Sequence, residues 1–495
     1  MTLRMYLRIL MAVVLLSCVG CLTFLCGPDA GQSVRLRVLI VPFLLVSFVG
    51  AAASFIFRDQ ERREALFATA VASMMLWMVA DAVHMSFFTV DDAWISARYG
   101  HTLATRGSLN WNSVGPPVEG YSNFAWVMLA TAVERFGFDP IVAFKCTGIL
   151  FAMAALVLVA VSVKRRYGCM VGTVTAALLC FDPRWALHAV SGLETVPFAF
   201  LVLAATVVAT SETRSHPWAL ALLGLVMGLT RPEGVLVFAV LICANLLYST
   251  GRKRVIKAAV VAYAVPAMIY MAWRVAYFGA VFPNTFYAKV TRDTWNVWGI
   301  SSFLESVPFI CLAVVISAII GFSRRERISV VVATALAVFY SRTNLVMNYS
   351  DRFFMPLLPL LVLSTPVFIN WLWNTWRSSP VTDVWRHIAV GCIACSLVLS
   401  CVSDRRNANT LVHDYGTMMR SAHIPIGKVL SSVRGLRVAV GDAGAIAYYS
   451  RAECIDFLGL NDRAIAMMIR SGTLAAEMPP YVLANGSSAA AISAR

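Results

Sequence analysis

The stretch ALFATAVASMMLWMVADAVHMSFFTVDDAWISARYG, residues 65–100, decides the fold. It begins as an apolar run of the length that crosses a bilayer, which needs about 20 such residues, and it ends in two adjacent acids, Asp91 and Asp92. Neighbouring carboxylates repel each other and are costly inside lipid, so we expect both at a membrane surface. The pair has two interpretations. It is a cap for a short helix that begins near Ala93, or it is a site that holds a cation, shares a proton or takes a proton from a substrate.

The whole chain shares this apolar character. Its 495 residues are 59% hydrophobic and 14% charged, with a mean hydropathy of +0.73. A soluble globular protein does not need so much apolar surface, so the composition indicates a polytopic membrane protein. The 12 cysteines fall almost wholly in apolar runs, which favours buried thiols over a zinc site.

Apolar runs of sufficient length predict about 13 transmembrane helices. They are residues 5–26, 36–57, 66–88, 139–163, 169–188, 193–211, 217–230, 233–249, 256–277, 303–323, 328–345, 353–373 and 387–403. The first run is interpreted as an uncleaved span. The two short runs on either side of Arg231-Pro232 are also compatible with a broken hairpin. The chain shows no internal repeat, so an inverted-repeat transporter has no support.

Basic residues form short clusters between these runs, within a net charge of +15. The clusters are the segments 58–63, 164–166, 252–254 and 324–327. When Arg4 and Arg8 place the N-terminus in the cytoplasm, every cluster falls on the cytoplasmic side. This spacing is typical of positive-inside topology and argues against nucleic-acid binding. It predicts that the acidic pair and the residues from about 404 onward face the outside.

Two segments are predicted outside the bilayer. The loop 90–138 interrupts a transmembrane domain that spans 1–403, and it contains helical patterns at 93–105 and 122–136 that lie in the interface. The tail, 404–495, is predicted to be a small extracytoplasmic α/β domain. Its strands are expected at 438–440 and 454–460, separated by the turn at 441–445.

The outer face limits the available chemistry, because it has neither ATP nor nucleotide sugars. The chain contains no P-loop and no Rossmann-type glycine fingerprint. A reaction there must use a pre-activated substrate such as a lipid-linked phosphosugar, whose phosphate needs cations and whose acceptor hydroxyl needs a base.

Polar residues at the predicted outer ends of the spans meet this demand. They are Glu119, Tyr121 and Asn123 in VEGYSNF, Glu194 in SGLET, Arg231 and Glu233 in LTRPEGV, Asn284, Tyr287 and Lys289 in YFGAVFPNTFYAK, and Asp351 and Arg352 before the span at 353–373. Each also has a structural interpretation. Arg231 and Glu233 form an ion pair in that case, while Lys289 and Arg352 are interfacial anchors.

Seven sequence blocks resemble a known family. They are VDDAWISARYGHTLATRGSLNWN (90–112), VEGYSNFAW (118–126), SGLET (191–195), LTRPEG (229–234), YFGAVFPNTFYAK (277–289), DRFFMPLLPLL (351–361) and VGDAGAIAYYSRAECIDFLGLND (440–462). In this order they resemble the GT-C superfamily glycosyltransferases, with the mycobacterial terminal β-(1→2)-arabinofuranosyltransferase and its bacterial relatives as the nearest pattern. The resemblance covers most of the chain from about residue 90.

The resemblance implies an all-α membrane fold of GT-C type in the bacterial inner membrane, with its active site facing the periplasm or the cell exterior. It implies a polyprenyl-phosphate sugar donor, an inverting transfer, and Asp91 or Asp92 as the base. The chain departs from the pattern in two extra spans before the acidic pair and in a shorter tail. The shorter tail favours a smaller acceptor than a polymeric arabinan, such as an envelope glycan or glycoprotein.

We therefore predict a glycosyltransferase with arabinofuranose as one candidate sugar. Arg352, Lys289 and Arg231, in that order, are predicted to bind the donor phosphate. The predicted substrate-binding residues are Glu119, Tyr121, Asn123, Glu194, Glu233, Asn284, Tyr287 and Asp351. No cofactor is required, and a divalent cation at the acidic pair stays open because two carboxylates are few ligands. The alternative is a transporter or flippase of a polyprenyl-linked glycan, against which the uncharged centres of nearly every span argue.

Overall fold

The computed structural model describes residues 60–211, 216–248, 251–289, 297–343, 347–378, 403–433 and 435–485. The predicted spans 5–26 and 36–57, and all of 387–403 except its last residue, lie outside these ranges.

Helices account for nearly all regular structure before residue 379. They are α1 Gln60–His84, α2 Asp92–Arg106, α3 Phe124–Arg135, α4 Pro140–Tyr167, α5 Cys169–Cys180, α6 Pro183–Ala189, α7 Thr195–Ala209, α8 Pro217–Thr230, α9 Gly234–Tyr248, α10 Arg252–Ala259, α11 Val265–Phe278, α12 Asn284–Lys289, α13 Val297–Ser306, α14 Pro308–Ile320, α15 Arg324–Ser341, α16 Leu357–Leu363 and α17 Pro366–Ser378. A π-helical turn, Val260–Ala264, joins α10 to α11, and a 3₁₀ turn, Tyr349–Phe354, precedes α16.

Long apolar helices are fewer than the predicted spans. Within the described ranges, 4 helices are long and apolar enough to cross a membrane, or 5 if the bent pair α13–α14 is one broken span. Four further apolar helices, α5, α7, α8 and α9, are shorter. The predicted run 169–188 is divided because Pro183 begins a new helix, whose Arg184 N–H is capped by Asp182 at 3.0 Å. The predicted count of about 13 stays unconfirmed.

The loop 90–138 contains two helices, α2 and α3, where the sequence predicts them. α2 is buried on both of its faces. Trp94 and Ala97 join the main helical core, whereas Ile95 and Tyr99 pack in a second cluster that includes residues of the tail. α2 therefore lies between the helical core and the tail.

The tail begins with a helix at 403–418, which we call α18, and continues through a π-helical turn, Met419–His423. The following elements are α19 Ile424–Leu430, β1 Arg437–Val440, α20 Ala445–Ser450, β2 Glu453–Asp456, α21 Arg463–Ser471 and α22 Leu474–Ala484. β1 and β2 pair in parallel, from Arg437 opposite Glu453 to Val440 opposite Asp456.

Both strands occur where the sequence predicts them, but β2 is shorter than the expected 454–460. It ends at Asp456 because this buried carboxylate turns the chain. The Asp456 side chain accepts hydrogen bonds from the backbone N–H groups of Leu458 and Asn461, each at 2.9 Å. Such local bonds compete with extension of the strand.

The tail packs against the loop 90–138. Arg98 of α2 is buried, donates to the carbonyls of Ala447 and Ala452, and lies 4.4 Å above the Trp111 ring. A buried guanidinium is tolerated only when its N–H groups find acceptors, and here the tail supplies two of them.

The packing of α4 against α6 yields a stability prediction. A Cβ at Gly148 would overlap the Ala189 carbonyl, whereas a Cβ at Gly228 would meet only Val235 at 3.5 Å. Gly148→Ala should therefore destabilise the protein by about 1–3 kcal/mol. Gly228→Ala, the control, should be neutral or slightly stabilising because Ala favours helix by up to about 1 kcal/mol. Thermal unfolding in detergent compares the two, and equal melting temperatures would contradict the prediction.

Candidate active site

The two acids of the pair have different surroundings. The Asp91 carboxylate is buried and accepts hydrogen bonds from the backbone N–H groups of Gly444, at 2.7 Å, and Ala445, at 2.8 Å. Its own backbone N–H donates to the Tyr415 hydroxyl at 3.0 Å. Asp91 precedes α2 but makes no side-chain capping bond to that helix. It instead binds the first N–H groups of α20, in the tail.

Asp92 faces a cation. Its Oδ2 lies 3.4 Å from Nη1 of Arg352, and its side chain is 16% exposed against 8% for the arginine. The Nε of Arg352 is buried and has no hydrogen-bond partner among the described residues. The sequence ranks Arg352 first among the phosphate-binding candidates, and it is the one whose guanidinium contacts the acidic pair.

A strained turn aims Arg352 and its neighbour in different directions. Ser350 and Asp351 both have positive φ angles, of 48° and 60°, which are uncommon for residues other than glycine and cost about 1–3 kcal/mol each. The Ser350 carbonyl accepts a 2.9 Å hydrogen bond from Nε2 of the buried His188, which holds the turn. Such strain often occurs at functional sites.

Four more predicted residues form a network beside this turn. Arg231 Nε lies 2.6 Å from Glu233, and its Nη1 lies 3.8 Å from Glu194. Asn123 donates to Glu194 at 2.8 Å. The ion pair expected between Arg231 and Glu233 is therefore present.

The network is joined to the acidic-pair site through one aromatic ring. Phe353 lies 5.4 Å from the Arg231 guanidinium and 5.2 Å from that of Arg352. Asn123 also accepts a 3.1 Å hydrogen bond from Ser96, one helical turn after Asp92. The two sets of predicted residues therefore lie side by side.

Other predicted residues lie in a third cluster, against the tail. Glu119 pairs with the buried Arg274 at 2.6 Å, and its carbonyl accepts from the Asn284 N–H at 2.8 Å. Asn284 also donates to the Gly459 carbonyl at 2.7 Å. Tyr121 packs edge-on against Tyr99, with ring centroids 4.8 Å apart.

Tyr287 and Lys289 are the other two predicted residues of the YFGAVFPNTFYAK block. The Tyr287 ring lies 5.4 Å from the Arg470 guanidinium of α21, so it also contacts the tail. The side chain of Lys289 lies outside the described residues, so its predicted role stays a prediction.

A polar cleft of about 480 Å³ opens on the other side of the strained turn. Arg184 lies in it, bound to Asp182 at 2.6 Å and to Asp351 at 3.0 Å. The lining residues are Arg184, Gly299, Ser302, Asn348, Ser350, Asp351, Asp404, Asn407, Thr410 and Leu411. Burial raises the pKa of Asp404 to about 6 despite the nearby arginine, and burial also raises the pKa of Asp351. The acidic groups outnumber the cation, so the cleft suits hydroxyl groups better than phosphate.

Three residues near the acidic pair are missed by the sequence interpretation. Tyr415 binds the Asp91 backbone, and His423 lies between Asp91 and Asp442. Burial and the charge of Asp91 raise the pKa of Asp442. Asp442 belongs to the block VGDAGAIAYYSRAECIDFLGLND, so its position in a family-like block is the signal that could have found it. Nothing in the local sequence marks His423 or Tyr415.

A cation site gains no support from this geometry. Among the residues that the structure describes, no group of three or more histidine, cysteine, aspartate or glutamate side chains is arranged to hold a metal ion.

The arrangement of helices around this site has a counterpart among solved structures. The fold is that of ArnT. The crystal structure of ArnT from Cupriavidus metallidurans bound to undecaprenyl phosphate matches with a TM-score of 0.54 and 14% identity, over 80% of this chain and 86% of that chain. The apo structure matches with a TM-score of 0.54 and 15% identity, over 81% and 87%. With the long apolar helices, this likeness indicates a multi-pass membrane protein.

Sequence comparisons add one match. A family profile described as a domain of unknown function, DUF8728, matches residues 414–492, which include Tyr415, His423 and Asp442. A comparison with curated proteins finds no match. The identity to ArnT is low, so that likeness establishes the fold alone and leaves the arabinofuranosyltransferase assignment unconfirmed.

The contact between Asp91 and the tail yields a second prediction. A Cβ at Gly444 would overlap the backbone and carboxylate of Asp91, whereas a Cβ at Gly441 would meet open space. Gly444→Ala should therefore displace the tail, lower the melting temperature and speed proteolysis of residues after 403. Gly441→Ala should match the parent in both measurements. Equal protection of the tail in the two variants would show that this contact does not hold it.

Proposed function

We propose that the protein is a membrane glycosyltransferase of GT-C type, which transfers a sugar from a polyprenyl phosphate to a hydroxyl group of a cell-envelope glycan or glycoconjugate. One observation carries the proposal. Asp92 faces Arg352, whose Nε has no hydrogen-bond partner among the described residues, and it lies shortly after the end of the long apolar helix α1 in an ArnT-like fold. One of the ArnT structures that this chain resembles contains undecaprenyl phosphate, which supports a polyprenyl-phosphate donor.

Asp92 is the better candidate for the base. Both oxygens of Asp91 already accept backbone hydrogen bonds, so a substrate hydroxyl would have to compete with them. Among the described residues, the Asp92 carboxylate is paired with Arg352 alone, at 3.4 Å, and its side chain is 16% exposed against 3% for Asp91. In the proposed step the acceptor O–H proton passes to Asp92, the oxygen attacks the anomeric carbon, and the sugar–phosphate bond breaks to release polyprenyl phosphate with inversion.

Arg352 is proposed to bind the phosphate as it leaves. A guanidinium binds two phosphate oxygens at once, and its buried setting strengthens the attraction. Arg231 is engaged by Glu233 and Glu194, which supports a secondary role in positioning Phe353 between the two arginines. Lys289 remains a second candidate for the phosphate.

The polar cleft beside Asp351 is proposed to receive sugar hydroxyls, since its carboxylates and amides are suitable partners for them. Arabinofuranose remains one candidate sugar, and an acceptor smaller than arabinan remains the preferred class. We place the protein in the bacterial inner membrane with this face outward, because the basic clusters in the sequence fall on the opposite side.

A panel of polyprenyl-phosphate pentoses and hexoses, offered with short envelope glycans, tests the function. Release of polyprenyl phosphate together with a glycosylated product is the expected result. A flippase would move the lipid between leaflets without breaking the sugar–phosphate bond. Transport of an intact donor by a protein that cleaves none of the panel would therefore replace the enzyme with the transporter.

Replacement of each acid separates their roles. Asp92→Asn keeps the shape of the side chain and removes the proton acceptor, so turnover should fall about 10²–10⁴-fold while the melting temperature stays near that of the parent. Asp91→Asn gives one backbone N–H an unsuitable NH₂ partner, so it should lower stability as well as turnover. The measurements are initial rates and thermal unfolding. Full activity of Asp92→Asn would exclude Asp92 as the base.

Arg352→Lys tests phosphate binding. The variant keeps the positive charge but loses the paired N–H groups, so turnover and undecaprenyl-phosphate affinity should each fall about tenfold or more. Arg106→Lys, at an exposed position in the last turn of α2, is the matched control and should behave as the parent. If Arg352→Lys retains parental affinity for the lipid phosphate, Arg352 is an interfacial anchor and Lys289 becomes the leading candidate.

A further inference from the structure

The segment that matches the domain of unknown function contributes directly to the surroundings of the acidic pair. Its Tyr415 hydroxyl accepts from the Asp91 N–H, and its Gly444 and Ala445 N–H groups bind the Asp91 carboxylate. Asp91 therefore takes three of its hydrogen bonds from a segment more than 320 residues away in the chain. The same segment places a histidine next to it.

His423 is fully buried between two carboxylates. Its Nδ1 lies 3.8 Å from Oδ1 of Asp91, and its Nε2 lies 3.6 Å from Oδ2 of Asp442. Neither ring nitrogen has a hydrogen-bond partner among the described residues. A buried ring with two unpaired nitrogens is costly unless each nitrogen faces a group of suitable charge.

The local backbone explains how the ring reaches this position. His423 ends a π-helical turn, Met419–His423, inside an otherwise α-helical run. The extra residue of a π turn shifts the side chains that follow to a new face, and such turns are rare and frequent at functional sites. The next helix, α19, packs close to α20 at Gly427. A side chain at this position would clash with Ile446 and Tyr449, so the close approach requires glycine.

The charges around the ring favour the imidazolium. A neutral imidazole has one N–H, whereas the protonated ring has two, one for each carboxylate. Burial opposes the charged ring, but Asp91 and Asp442 outweigh it and raise the pKa of His423 above its ordinary 6.5. The other titratable groups of this region are Asp92, which acts on Asp442, and the tyrosines Tyr349 and Tyr415, whose rings lie 5.1 Å apart.

We propose that His423 is a positioning residue, whose protonated ring joins Asp91 of the loop 90–138 to Asp442 of the tail. Through this link the segment that matches the domain of unknown function becomes part of the active site. Both oxygens of Asp91 then accept backbone hydrogen bonds and one of them also faces the ring. Asp92, beside Arg352, is left as the acid of the pair that can contact a substrate. The effect on turnover rests on the proposed function. The electrostatic link itself does not.

The pH dependence of stability tests the link without any substrate. Because the folded-state pKa is raised, the protonated ring contributes its full stability below pH 6.5 and loses it as pH rises through the raised pKa. The parent should therefore melt about 2 °C or more above His423→Gln at pH 6, and this difference should shrink at higher pH. His413→Gln is the matched control, since the His413 side chain is 81% exposed, and it should show no such trend.

A second variant keeps the histidine and removes one partner. Asp442 is 28% exposed, so Asp442→Asn should fold, and it should move the midpoint of the stability difference towards pH 6.5. If His423→Gln does not fold, this shift decides the question alone. Two results would show that His423 is a packing residue only. One is a difference in melting temperature between the parent and His423→Gln that is constant from pH 5 to pH 9. The other is a midpoint for Asp442→Asn equal to that of the parent.

The pH dependence of the turnover rate tests whether His423 affects catalysis. The rate of the parent should fall at alkaline pH as the ring loses its proton, and His423→Gln should lack this fall while being slower at every pH. If the parent cleaves no polyprenyl-phosphate donor, the proposed function fails, while the stability measurements still decide the role of His423. If the parent is active and both proteins share one pH profile, the positioning role is excluded.

Discussion

The hydrogen bonds from Gly444 and Ala445 to the Asp91 carboxylate are the interaction on which the rest of the structure depends. A buried carboxylate is stable only when its lone pairs are satisfied, and here the partners come from the opposite end of the chain. The bonds hold the tail against the loop 90–138, where Arg98 adds its contacts to the tail carbonyls. The tail therefore belongs to the same packed unit as α2.

Because of this constraint, the two neighbouring acids make different contacts. Asp91 is used to hold the tail, and Asp92 is left beside Arg352 at the edge of the helical core. The strained turn at Asp351 then separates two environments: an arginine faces the acidic pair on one side, and a cleft richer in carboxylates lies on the other. In the proposed function, the first environment binds the lipid phosphate and the second binds the sugar hydroxyls.

Much of the site could be predicted, but unevenly. Asn123, Glu194, Arg231 and Glu233 are predicted as polar residues of one face, and the structure joins them in one network. Glu119 has the same kind of sequence signal, yet it is neutralised by Arg274, with which it forms a separate cluster against the tail. A polar residue at the end of an apolar run indicates the membrane surface. The sequence does not indicate its partner, because the partner depends on how distant helices pack.

The sequence by itself determined what depends on local chemistry. Apolar length predicted the long helices that the structure describes, and local pattern predicted the short strands of the tail, because each depends on residues within one or two turns. The division of the predicted span 169–188 at Pro183 was missed, although proline is a local signal. Only the tertiary structure decided which acid of the pair binds the tail and which faces Arg352, and that His423 lies between Asp91 and Asp442. The contacts of Asp91 with the tail join segments more than 320 residues apart, and the contact of Asp92 with Arg352 joins residues 260 apart. Such contacts form only when distant helices pack together, so no local sequence signal predicts them.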